Sequence, residues 1–166
     1  GNLGDSYMGL QILKKKITVN NKLTNYFTKK YYEPDLQLKF TNYLIKIANT
    51  SIDLSDGLID DLIKMLNSQN LSFQINEDKI PISNNLNSLI RNKKLDKINL
   101  ISKGDDYQIL FTANPNKSRI IKNISHSLGI KISKIGKIIS GVNRSMIIDE
   151  KGKQKVPKIG GYIHQF

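Results

Sequence analysis

The chain contains no cysteine, only two histidines and only three arginines. Without thiols there are no disulfides and no thiolate metal sites, which is compatible with a reducing cytosol. The histidines, His126 and His164, lie too far apart in sequence to suggest a zinc site. No apolar run approaches the roughly eighteen residues that a membrane span needs, and no signal peptide precedes the first motif. A soluble, cytoplasmic protein with no membrane partner is the expectation. The first residue is Gly1 rather than methionine, and Gly1-Asn2-Leu3-Gly4-Asp5-Ser6 reads like the middle of a longer protein.

Positive charge is abundant: 26 basic residues against 14 acidic ones give a formal net charge of +12. Such a balance invites a nucleic-acid reading. Apart from Arg91, Arg119 and Arg144, however, every basic residue is lysine, spread along the whole chain. Base readout and stacking favour arginine and aromatic groups, and no arginine-aromatic stripe is present. A solvated lysine surface is the simpler explanation, so no specific nucleic-acid partner is expected. With 166 residues, 39% of them hydrophobic, the chain can bury one real core.

Helical and extended patterns interleave. Asp5 or Ser6 is expected to cap a helix that runs through Leu13, and the glycine-containing start could also cradle a phosphate. The Gly-Lys-Ser/Thr ending of a P-loop is missing there. Further helices are expected over 21–30, from Leu36 to about Ile47, from Leu58 to about Ser68, over 84–92 and over 117–128, the last closed by Gly129. Strands are expected at 71–75, 107–112, 130–139 and 145–149, with Ile52-Asp53-Leu54 as a short extended approach. The fold class is therefore α/β (α+β), a single domain over 1–166 with one mixed β-sheet packed with helices.

Three places carry chemistry. The first is Asp53-Leu54-Ser55-Asp56-Gly57-Leu58. Asp53, Asp56, Asp60 and Asp61 fall within nine positions of a chain poor in acids. Two carboxylates three apart around a strand-to-helix turn suit a hard cation such as Mg²⁺, which takes one or two carboxylates plus water and substrate phosphate. Ordinary capping of a helix N-terminus explains Asp60 and Asp61 well and Asp53 poorly. On the residues alone, both readings stay open. The second place is Gly104-Asp105-Asp106-Tyr107 at the mouth of a strand, where at most one of the paired carboxylates can face a given pocket. The third is the ending Gly160-Gly161-Tyr162-Ile163-His164-Gln165-Phe166, whose aromatic residues suggest a tail packed on the body. His164 reads as a packing or hydrogen-bonding histidine rather than a general base.

In that order, together with Gly4-Asp5-Ser6-Tyr7-Met8-Gly9-Leu10, these motifs resemble the thiamine-monophosphate kinase family from end to end of the chain. The resemblance implies a domain like the C-terminal domain of PurM and the AIR synthetase-related proteins. It also implies a preceding ATP-binding domain, absent from this chain, which normally forms the homodimer. The implied reaction moves the γ-phosphate of ATP onto thiamine monophosphate, with Mg²⁺ as cofactor, giving thiamine diphosphate and ADP. By the same resemblance Asp53 and Asp56 match magnesium ligands, Ser55 a nucleotide contact, and Asp105 and Tyr162 substrate contacts. This chain departs from the family pattern at Lys103, at Gln108, at Leu36-Gln37 after Pro34-Asp35, and at Gln165. The alternative is another ATP-dependent synthetase of the superfamily, of the selenophosphate or aminoimidazole ribonucleotide type.

Overall fold

The computed structural model describes residues 1–66 and 69–157. Three helices come first: α1 (Asp5–Leu13), α2 (Asn21–Tyr32) and α3 (Leu38–Ile47). After them come β1 (Thr50–Asp53), α4 (Leu58–Leu66), β2 (Leu71–Asn76), α5 (Asn84–Lys93) and α6 (Lys97–Ile101). The last elements are β3 (Ile109–Thr112), α7 (Ser118–Leu128), β4 (Gly136–Ser140), β5 (Met146–Ile148) and β6 (Gln154–Lys155). The mixed α/β class holds, with two sheets among the described residues where the sequence suggested one.

One sheet is the antiparallel pair of β1 and β3, in register from Thr50 opposite Thr112 to Asp53 opposite Ile109. The other has the order β4-β2-β5-β6, with β2 antiparallel to β4 and parallel to β5. They share one apolar cluster, because Ile52 of β1 and Leu110 of β3 pack against the core that the other sheet also faces. Leu58, Ile59, Leu62, Met65 and Leu66 of α4 are buried with Phe73 and Ile75 of β2 and Ile147 of β5. Phe40 and Ile47 of α3 and Ile124 of α7 form another cluster, with Ile109 and Phe111 of β3 packed against it. Met8, Phe27, Leu86 and Leu89 join α1, α2 and α5 in a third.

Local signals explain most boundaries. The Asn20 and Ser83 side chains accept the N–H groups of Leu23 and Leu86, each at 3.0 Å, which caps α2 and α5. Gly129 closes α7 in the left-handed conformation, as its sequence position suggested. The expected strand over 130–139 is confined to its second half. Ile130 and Ile132 pack into the α3–α7 cluster instead of joining the sheet. Asp96 accepts the N–H groups of Ile98 and Asn99 and starts α6, a helix too short for its periodicity to show in sequence.

Candidate functional site

The acidic turn joins β1 to α4. Its geometry comes from Asp61, one turn into the helix and 1% exposed. One carboxylate oxygen of Asp61 accepts the N–H groups of Asp56 and Gly57 at 3.0 and 3.1 Å, and the other accepts from Lys64 Nζ at 3.1 Å. Asp61 thus satisfies donors that a helix start leaves orphaned. Lys64 also forms an ion pair with Asp56. The helix-start role expected of Asp61 is what this geometry provides. Asp53, at the end of β1, is exposed.

The second acidic segment lies directly against this turn. The N–H of Asp105 donates to the Ser55 carbonyl at 3.0 Å, the N–H of Tyr107 donates to the Leu54 carbonyl at 2.9 Å, and the Leu54 N–H donates to the Gln108 carbonyl at 2.9 Å. Two glycines permit so close an approach. A Cβ on Gly104 would stand 2.0 Å from the Ser55 oxygen, and one on Gly57 would stand 2.4 Å from the Ser102 carbonyl carbon. Asp105 and Tyr107 both have positive φ, so the strand expected from Tyr107 begins only at Ile109. Backbone groups that a strand would have spent on its ladder are instead spent on Ser55 and Leu54.

The paired carboxylates separate, as the sequence suggested. Asp105 is half-buried; burial, and then the charge of Asp56, push its carboxyl above the ordinary range. Asp106 is 5% exposed and is pushed up to about 7 by burial, although hydrogen bonds from Gly4 and Ser6 oppose the rise. These bonds run from Gly4 N at 2.6 Å and from Ser6 N at 3.3 Å, so Asp106 caps α1. That corrects two expectations for the chain start. Neither Asp5 nor Ser6 caps its own helix, whose N-cap is Gly4, and the N–H groups considered for a phosphate are taken by a carboxylate. The Asp5 carboxylate turns away to accept from Tyr26 Oη at 2.9 Å and Ser83 Oγ at 2.7 Å.

The fold therefore gathers Ser55, Asp56 and Asp105 in two interlocked loops. Tyr162 and His164 lie outside the described residues, as do Asn67 and Ser68. Among the described residues no group of three or more His, Asp or Glu side chains is placed to hold a metal ion. The donors present are nonetheless hard oxygens of the right kind for Mg²⁺. The repulsion that Asp105 feels from Asp56 marks a local excess of negative charge, which Lys64 offsets in part. Such a set fits a cation whose remaining ligands are water and phosphate oxygens.

A cavity of about 40 Å³ beside Asp106, lined in part by Asp5, Ser6, Tyr26, Lys30 and Gln108, has room for a water or so and not for a nucleotide. An open hollow of about 510 Å³ is lined in part by Tyr26, Ile82, Ser83 and Lys131, and none of the acidic-turn residues faces it. Sequence reasoning missed Lys64 and did not single out Asp106. A lysine three residues after Asp61 on the same helix face was a legible sign for the first. Nothing in the sequence pointed to the second.

No family model matches the chain. Curated proteins do. A thiamine-monophosphate kinase of Buchnera aphidicola subsp. Acyrthosiphon pisum is 34% identical over 166 residues, covering 99% of this chain and 50% of that protein. The chain is a relative of the thiamine-monophosphate kinases. The kinase of Escherichia coli K12 is 30% identical, with the same coverage of both chains. A solved structure of AaThiL complexed with AMPPCP and TMP superposes with a TM-score of 0.77 at 25% identity, covering 99% of this chain and 49% of that one. The chain thus spans about half the length of the kinases it matches.

Proposed function

We propose that these residues are the C-terminal half of a thiamine-monophosphate kinase, a single domain that supplies one wall of the phosphotransfer site. The observation that carries the proposal is the match of the whole chain to half of each named kinase, with both acidic loops locked together at one place. On this reading Asp53 and Asp56 hold Mg²⁺, Ser55 contacts the nucleotide, and Asp105 and Tyr162 contact thiamine monophosphate. The cationic thiazolium and amino-bearing pyrimidine of that substrate suit a carboxylate and an aromatic face.

When bound, magnesium supplies neutralisation of phosphate charge, and phosphoryl transfer needs little covalent chemistry from the protein. The contribution of this chain is placement. Asp61 holds the backbone of the turn that presents Ser55 and Asp56, and the Leu54–Gln108 and Ser55–Asp105 bonds fix the substrate-side carboxylate relative to it. ATP is the co-substrate and thiamine diphosphate and ADP are the products. A preceding domain completes the nucleotide site and forms the homodimer, and the protein works in the cytoplasm. No helix among the described residues is long and apolar enough to cross a membrane.

The test is an assay of thiamine diphosphate formation from ATP, Mg²⁺ and thiamine monophosphate by these 166 residues alone. No product is expected, because on this reading a preceding domain completes the nucleotide site; neither the small cavity at Asp106 nor the open hollow at Lys131 is lined by the acidic turn. Measurable product would overturn the half-site reading.

A further inference from the structure

Asp106 is expensive to keep. It is a carboxylate 5% exposed, close to the charges of Asp5 and Asp105. No ion pair involving it is found among the described residues, and the compensation it receives is the two N–H groups of Gly4 and Ser6. A site that required only filling would be served better by an apolar side chain of similar volume.

Its place in the chain shows what the carboxylate achieves. The side chain of Asp106 grips the first turn of α1, a helix with no cap from its own side chains. On either side of it, the N–H groups of Asp105 and Tyr107 donate to Ser55 and Leu54. Both flanking residues sit at positive φ, 63° and 49°, a conformation that non-glycine residues hold only where the surroundings enforce it. One residue therefore faces α1 through its side chain while its neighbours face the acidic turn through their backbone.

We infer that Asp106 is a positioning residue, which locks the loop carrying Asp105 to the start of α1 and so fixes where Asp105 stands against the Ser55–Asp56 turn. The substrate role of Asp105 rests on the kinase reading above; the lock itself does not. Through it, α1, the acidic turn and the Asp105 loop behave as one unit. The effect on chemistry passes through Asp105, since Asp106 is turned away from the turn and into the fold.

Hydrogen exchange on this chain tests the lock without any substrate, so failure of the kinase reading leaves the outcome unchanged. Asp106→Leu keeps apolar volume and loses both acceptors, whereas Asp106→Asn keeps one acceptor oxygen for Gly4. In Asp106→Leu the amides of Asp105 and Tyr107 are expected to exchange about tenfold faster or more, with the amides of β2 unchanged. Asp106→Asn is expected to restore most of that protection. Equal protection in the Leu variant, the Asn variant and the parent chain would overturn the inference, because packing alone would then suffice. So would a loss in both variants that reaches β2 equally, which would make Asp106 a general folding residue.

Discussion

Gly104 lies so close to Ser55 that a Cβ at residue 104 would stand 2.0 Å from the Ser55 carbonyl oxygen. The listening partner in this contact is backbone, which cannot rotate away. Gly104 also has φ of 75°, a left-handed conformation that costs an L-residue further. Gly104→Ala should therefore destabilise the chain by about 2 kcal/mol or more and pull the two acidic loops apart. Urea denaturation gives the first quantity, and exchange at the Asp105 amide reports the second. An Ala variant of unchanged stability would mean that the loops are not in this contact.

Asp61 makes a second, independent claim on the same turn. Truncating Asp61→Ala leaves the N–H groups of Asp56 and Gly57 without their acceptor. The expected loss is about 2–4 kcal/mol, from a charged cap and the donors it leaves unpaired. Asp61→Asn retains an acceptor oxygen and should lose less. Denaturation midpoints that ranked Asn below Ala would contradict the capping role.

On the magnesium reading, Lys64 stands where the cation would compete with it. Its ammonium pairs with Asp56, and the pair raises the Lys64 pKa, with the Asp56 hydrogen bond as the leading cause. An exposed pair of this kind is worth about 1 kcal/mol or less. If Asp56 is a magnesium ligand, Lys64→Met should tighten Mg²⁺ binding by about two- to fivefold. A MgCl₂ titration followed through the Asp56 and Gly57 amide shifts measures it directly. Weaker binding in the variant would show Lys64 assisting the metal rather than opposing it.

The buried acids set a pH dependence of definite sign. Burial pushes Asp106 from 3.8 up to about 7 and also raises Asp5. Between about pH 4 and pH 7 native Asp106 therefore retains a proton that the unfolded chain has released, and its contribution to stability falls as pH rises; the raised Asp5 acts with the same sign. For Asp106 alone the shift corresponds to on the order of 4 kcal/mol at most. Asp106→Asn should remove most of this slope, so its stability relative to the parent chain should improve from pH 5 to pH 8. Urea denaturation at the two pH values checks it, and a difference of the opposite sign would refute the assignment.

Much of this fold is legible in sequence because it is local. The spacing of Leu58, Ile59, Leu62, Ile63 and Leu66 announces α4, and Gly129 announces the end of α7. What escapes is pairing over distance. Thr50 opposite Thr112 creates a separate sheet, and no periodicity encodes which strand meets which. Likewise Ile130 and Ile132 alternate like a strand while serving a helix cluster.

The candidate site divides along the same line. The three acidic and aromatic motifs stand out by residue type, but the cap of α1 comes from Asp106, a partner 102 residues from Gly4. A carboxylate beside another carboxylate looks the same in sequence whether it faces a substrate or anchors a helix. Burial and two N–H groups separate Asp106 from Asp105, and only the fold supplies them.

The central proposal is that the Asp53–Asp56 turn serves Mg²⁺-dependent transfer to thiamine monophosphate in a longer protein. The direct measurement is thiamine diphosphate formation by the full-length protein carrying Asp56→Asn, assayed across a range of Mg²⁺ concentrations. Expected is a loss of about 100-fold or more in kcat/KM, partly recovered at high Mg²⁺, with the fold intact. Normal transfer at ordinary Mg²⁺ in that variant would contradict the assignment of Asp56 and, with it, the role of the turn.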